Sequence, residues 1–346
     1  MVNNFFKLRI RLLLFSAIFC LSNAYTQTKL NRSTIDSILK YIKYSKDENS
    51  FSREEQLSFA KRAKQLALNL KLDSLIIKSN NSISRLYWEL NLYNNYKETN
   101  LETLNLAREV GDSSSLADAY FSIGRYFDRT NISDSTYFYF HKSENIYRSL
   151  NDNFKLARSL IGIATIQKNE KDFTGSEVTS IEAISLLDDL EQTNDVNRYK
   201  SFIYNNLGLV FFHLEQFEES ILYYTKALEL KRNLEGDNKA SIDGSINNLA
   251  LSYKNSGEYN LALKYYNEIL EDTNLIKDRP DFYALVLGNY GHTLYLSESY
   301  EQLPNLYLEA LKVCDSIGAK YNSIAINRHL SEFYENTNKK DSALYY

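Results

Sequence analysis

The 346-residue sequence predicts an all-α chain, a right-handed solenoid of stacked helix hairpins. Three observations carry that expectation. Small residues follow apolar ones at Ser84, Gly124, Ala164, Gly208, Ala250, Gly291 and Ser331, spaced 40, 40, 44, 42, 41 and 40 residues apart. A fixed period of this size marks repeated supersecondary units, each burying its apolar face on its neighbours. The chain holds only 2 Pro and 11 Gly, which favours long helices over a turn-rich β fold. Its 44% hydrophobic content, with 28 Tyr and 18 Phe, can fill one continuous core.

The elements follow in chain order. Lys7, Arg9 and Arg11 precede an apolar run from Leu12 to Leu21, and Ser22-Asn23-Ala24 supplies small residues before Tyr25. These are the three regions of a secretory signal, so residues 1–24 are expected to be removed on export to the periplasm or cell envelope. The apolar run is about half the roughly 20 residues that span a bilayer. Removing residues 1–24, with Lys7, Arg9 and Arg11, leaves 37 basic against 44 acidic residues, a net charge of about −7 that opposes nonspecific nucleic-acid binding. Cys314 then remains alone, so no internal disulfide can support the fold.

Residues 25–70 read as an N-terminal helical cap or degenerate repeat. Ile35, Ile38, Leu39 and Ile42 make one amphipathic stripe; Leu57, Ala60, Ala63, Leu66, Ala67 and Leu70 make a second. Residues 71–346 read as about seven hairpins. The clearest runs from Ser201 to Arg232. Tyr204, Leu207, Gly208 and Phe211 share one helical face, Glu215-Gln216 breaks the helix, and Phe217, Ser220, Tyr224, Ala227 and Leu228 mark its return. The next hairpin repeats this with Ile246, Leu249, Ala250 and Tyr253, a turn at Gly257-Glu258, then Tyr259, Ala262, Tyr266 and Ile269. The small residues are expected where two helices cross closely, with Phe211 and Tyr253 filling the space beside them. Gly257 suits a left-handed helix end, and Gly111-Asp112, Asn151-Asp152 and Gly236-Asp237 punctuate the links between hairpins.

Tyr204-x-x-Leu207-Gly208-x-x-Phe211 followed by Phe217, Ser220, Tyr224 and Ala227 resembles a tetratricopeptide repeat, in the longer form similar to kinesin light chain. The resemblance runs from about Ser52 onward and is sharpest over 201–312. Ser180 and Asn100 depart from it where a bulky residue of the second helix is expected; Leu303 stands in place of a small one. Pro304 fits only a first helical turn. The last unit has its first helix near Asn327–Glu335, a turn near Asn338 and a second helix opening at Asp341. Stopping on Leu344-Tyr345-Tyr346 suggests a fragment of a longer polypeptide, since a solenoid needs a polar terminal cap.

No residue pattern supports catalysis, a cofactor or a metal. His141, His213, His292 and His329 fall in different units, and only His292 and His329 can approach one another. Asp188-Asp189 face different ways on a helix. The resemblance instead implies protein or peptide binding by a surface that the first helices line. Asn205, Asn206, Asn247, Asn248 and Asn289 adjoin the small residues there, and an amide can both donate to and accept from an extended backbone. Leu209, Phe212 and His292 would add side-chain pockets, and Arg85, Arg125 and Arg328 would meet carboxylates. Trp88, next to the core position Tyr87, is expected to face the groove or a neighbouring unit. The signal-led, Asn/Lys/Tyr-rich chain resembles the N-terminal halves of Bacteroidota signalling proteins. That likeness implies an extracytoplasmic sensor or docking part, joined to the membrane only through a downstream segment. The alternative is a free-standing scaffold for envelope assembly.

Overall fold

A computed structural model describes residues 31–236, 239–337 and 339–345; the expected signal segment, Asp237, Asn338 and Tyr346 lie outside these. All regular structure among the described residues is helical. The chain divides into two compact units, residues 1–152 and 153–346.

In the first unit, a helix over 31–44 (α1) is followed by α2 (Arg53–Asn69), α3 (Asp73–Glu89), α4 (Tyr93–Val110), α5 (Ser113–Arg129) and α6 (Ser133–Leu150). Ser52 starts α2 with a reciprocal capping box to Glu55, and Asp112 caps α5 at Ser115. Ile38 and Ile42 pack with Ala63, Ala67 and Ile76, so the N-terminal segment is a true hairpin sealed onto α3. Leu39 points outward instead.

The second unit holds α7 (Asn153–Asn169), α8 (Phe173–Asp188), α9 (Asn194–His213), α10 (Phe217–Arg232), α11 (Lys239–Asn255) and α12 (Tyr259–Leu270). A single turn, α13 (Leu275–Asp278), precedes α14 (Pro280–Leu296), α15 (Leu303–Ile317), α16 (Lys320–Asn336) and α17 (Lys340–Tyr345). Pro304 does sit in the first turn of α15. Helix α9 begins seven residues before Ser201, capped by Thr193 at Val196. Its first two turns are polar, which hides them from an apolar-period reading. The α13 turn was not legible either; it buries Leu275 among the α11, α12 and α14 core residues.

One geometric rule organises the hairpins. Each small residue of a first helix meets the residue sixteen positions later on the second: Gly124 with Phe140, Gly208 with Tyr224, Ala250 with Tyr266, Gly291 with Tyr307. A Cβ on Gly124, Gly208 or Gly291 would lie 2.7–2.8 Å from that ring, so only the bare backbone fits without a shift. This corrects the expectation that Phe211 and Tyr253 fill the crossing. They lie one turn further along and stack face to face on Tyr223 and Tyr265, with centroids 5.3 and 5.6 Å apart. Phe127 does the same with Tyr139 at 5.4 Å.

Where the rule lapses, polar groups take over. Ser84 and Asn100 replace the glycine–ring pair with a buried hydrogen bond, Asn100 Nδ2 donating to Ser84 Oγ at 2.7 Å. Ala164 faces Ser180, and the missing ring leaves room that Asn206 of the next hairpin fills.

Seven of the turns between helices need a left-handed residue that is not glycine: Lys71, Asn91, Asn131, Asn151, Lys171, Glu215 and Glu298 all have positive φ. Gly111, Gly236, Gly257 and Gly318 also take positive φ, the first three at positions the glycine punctuation named.

Candidate peptide-binding surface

The amides flanking the small residues fall into two classes. Asn206 and Asn247 are buried, 8% and 7% exposed. Asn206 Nδ2 donates to Ser176 Oγ at 3.0 Å and Ser180 Oγ at 3.2 Å, so its donors are spent holding α9 to α8. Asn247 Oδ1 accepts from Asn289 Nδ2 at 3.2 Å, and its own Nδ2 lies 3.5 Å from Asn248 Oδ1. Asn205, Asn248 and Asn289 are half-buried.

Each of these three keeps one hydrogen-bonding end without a partner among the described residues. Lys231 explains why at Asn205. Its ammonium, which can only donate, gives a proton to Ser245 Oγ at 2.7 Å. The Ser245 hydroxyl must then donate onward to Asn205, at 3.1 Å, which turns the Asn205 carbonyl inward and leaves its NH2 facing out. Burial pushes the Lys231 amine down to about 8. At Asn289 the NH2 is spent on Asn247, so the carbonyl is presented. The α9, α11 and α14 first helices are thereby joined by side-chain hydrogen bonds that leave a row of part-exposed donors and an acceptor.

The apolar candidates separate likewise. Leu209 packs partly into the α10–α12 core, whereas Phe212 is half-buried and edge-on to Phe217 at 5.7 Å. His292 and His329 do meet, with rings stacked 4.0 Å apart and 12° from parallel. Lys254 Nζ lies 3.4 Å from His292 Nδ1, which assigns that imidazole's proton to Nε2. Burial first, then for His292 the neighbouring His329, and for both the charges of Lys254 and Arg328, hold His292 down at about 3 and His329 at about 4. Both rings are therefore neutral near pH 7, and Lys254 is itself pushed down to about 8 by burial. His141 pairs with Glu144 at 2.6 Å, and His213 stacks on Phe173 at 5.3 Å. Asp188 pairs with Lys200, and Asp189 ends α8.

The three arginines differ most. Arg85 is committed internally, donating to Glu89 at 2.6 Å and to the Ser45 carbonyl at 2.6 Å. Arg328 is exposed beside a cavity of about 610 Å³ shared with Asn327, Ser331 and Glu332. Arg125 lies over the face of Trp88, 4.0 Å from the ring centroid. Trp88 also packs on Tyr93 and Tyr96 of α4 within its own hairpin, and Arg125 on α5 is its contact with the neighbouring one. Charge alone could not reveal these partners, since Arg85 and Arg125 each directly follow the small residue of their helix yet differ completely in what they touch.

Among the described residues no group of three or more His, Cys, Asp or Glu is placed to hold a metal ion, and no helix is long and apolar enough to cross a membrane. No curated protein sequence matches the chain. The family profile of the tetratricopeptide repeat matches residues 199–274. Among solved structures, the apo form of the quorum sensor NprR from B. thuringiensis is similar over 90% of this chain and 84% of its own, with a TM-score of 0.62 at 16% identity. A Rap protein complexed with Competence and Sporulation Factor covers 92% of this chain and 95% of its own, with a TM-score of 0.56 at 12% identity. BtubC (BKLC) from P. vanneervenii covers 66% and 94%, with a TM-score of 0.55 at 19% identity. At these identities the likeness is one of fold. Residues 199–274 thus match the tetratricopeptide-repeat family, and the chain shares the fold of these solved repeat structures.

Proposed function

We propose that this chain is a peptide- or protein-binding scaffold whose second unit holds an extended partner along α9, α11 and α14. The observation that carries this reading is the linked row of Asn205, Asn248 and Asn289, each half-buried with one amide end open. A peptide backbone offers alternating donors and acceptors, so such a row can hold it with little regard for side chains. A Rap protein of similar fold was solved complexed with Competence and Sporulation Factor, which makes ligand capture by this kind of solenoid reasonable. We place the chain outside the cytoplasm on the strength of residues 1–24, as the sensor or docking part of a longer signalling protein. A free-standing envelope scaffold is the second reading; a reporter enzyme fused after Tyr346 in the natural gene context, active only when exported, tests export for both.

The binding test uses the whole chain and a displayed library of extended peptides. Changing Asn205, Asn248 and Asn289 together to Ala should lower capture about tenfold or more, at about 0.5–1.5 kcal/mol per lost hydrogen bond. Unchanged capture with unchanged circular dichroism would sink the row as a binding site.

A further inference from the structure

Lys231 puts a charge where other hairpins have an uncharged core residue. That position lies seven residues after the one that faces the small residue of the first helix. Ala107, Tyr147, Leu187 and Cys314 fill it on α4, α6, α8 and α15, and all four are buried. Helix α12 ends before reaching it. On α10 it is Lys231, only 5% exposed. An ammonium in a core costs desolvation that a packed apolar side chain avoids, so the fold alone does not call for it. Its bond to Ser245 uses one of its three donors.

A cavity of about 310 Å³ adjoins this lysine, between α9, α10 and the start of α11. Phe202, Leu234 and Ala240 give it carbon walls, and Phe202 and Ala240 are exposed at its edge. Two cations border it, Lys231 and Arg198. Lys231 Nζ donates to Ser245 Oγ at 2.7 Å and to the Ser241 carbonyl at 3.3 Å, both uncharged oxygens. Arg198 pairs with Asp195 at 2.7 Å, but those side chains are 42% and 68% exposed, so water screens the pair and it holds Arg198 weakly. The buried acid of α11, Asp243, is taken up by Arg279 and Lys239. Carbon walls favour an apolar body, and the cations favour a negative charge. A phosphate dianion is too strongly hydrated to be seated against Phe202 and Leu234, while a neutral hydrocarbon gains nothing from Lys231.

We propose that this cavity is a binding site for a small monocarboxylate with an apolar body, an alkanoate or arylalkanoate. Its carboxylate sits on Lys231 and Arg198, and its carbon lies against Phe202 and Leu234. None of Asn205, Asn248 and Asn289 lines the cavity, so the site stands or falls separately from peptide capture.

Calorimetric titration of the full chain tests this with hexanoate, phenylacetate, hexanamide, acetate and inorganic phosphate. Saturable binding of hexanoate or phenylacetate, about tenfold or more tighter than hexanamide, acetate and phosphate, is the expected result. The tighter of the two acids tells an alkyl body from an aryl one. Lys231→Met keeps most of the stem and removes the charge, at a position that is apolar in other hairpins; it should weaken the acid about tenfold or more. Ala240→Trp leaves Lys231 and Ser245 in place and should abolish binding by filling the cavity. Circular dichroism checks the fold of both variants. Absence of saturable binding by both acids overturns the proposal. So does hexanamide, acetate or phosphate that binds as tightly as the acids, or full affinity in either variant.

Discussion

Asn205 and Asn206 are neighbours with opposite fates, because an α-helix turns about 100° per residue. Asn205 faces outward, held in orientation by Ser245 and Lys231; Asn206 faces α8 and bonds Ser176 and Ser180. The reason lies across the interface, where Ser180 occupies the position that Tyr224 and Tyr266 fill elsewhere. Asn206→Ala should therefore cost stability, about 1–3 kcal/mol, by opening a void and leaving two buried hydroxyls short of a donor. Pairing it with Ser180→Tyr should recover much of that loss, because the ring would refill the crossing. Denaturant midpoints of the two variants and wild type check this, and additive costs would show that the two positions do not share one space. The five asparagines were visible in the sequence as a group. Which of them turn outward was not, since that depends on a hydroxyl or a gap contributed by a helix some 26 to 40 residues away.

The hairpin turns bear on stability at the scale of the element. Glu215 links α9 to α10 with φ +60°, and its amide donates to the Phe212 carbonyl. A residue with a Cβ pays about 1 kcal/mol or more in that conformation, and Gly257 does the same task between α11 and α12 without it. Glu215→Gly should raise the denaturant midpoint by an amount worth roughly 0.5–1 kcal/mol, after the extra freedom of glycine in the unfolded chain is deducted. A lowered midpoint would mean that the strain lies elsewhere. The same turns show how the elements were read. Starts at Phe217 and Tyr259 were legible because a break and an apolar period meet there. The start of α9 and the α13 turn were not, since neither carries a clean apolar stripe. The ring partners were missed for another reason: helical periodicity links i to i+3 and i+4 within one helix, while Tyr224 reaches Gly208 from the facing one.

For the second unit as a whole, the stacked histidines set a pH limit. His292 and His329 are held near 3 and 4 in the fold against about 6.5 when unfolded. Their folded values are depressed, so between about pH 6.5 and 4 the unfolded chain binds more protons and stability falls as pH falls. Above 6.5 the penalty is absent. Thermal melts over that window should show the second unit weakening with acid, and His329→Gln should flatten the slope, by on the order of 1–2 kcal/mol at pH 4 once partial exposure is discounted. A slope that the variant leaves intact would assign the acid sensitivity to other groups. At the same scale, the sixteen-residue spacing from small residue to facing ring has a consequence for how the chain tolerates change. That spacing holds at 124/140, 208/224, 250/266 and 291/307, while the small residues themselves stand 40 to 44 apart. Variation in repeat length thus falls between the ring of one hairpin and the small residue of the next, in the start of α9, the early end of α12 and joints such as 189–193 and 271–279, where α13 itself is an addition. Inserted sequence is permitted at those joints and excluded between a small residue and its facing ring, so new loops can be grafted there while the row of amides keeps its register.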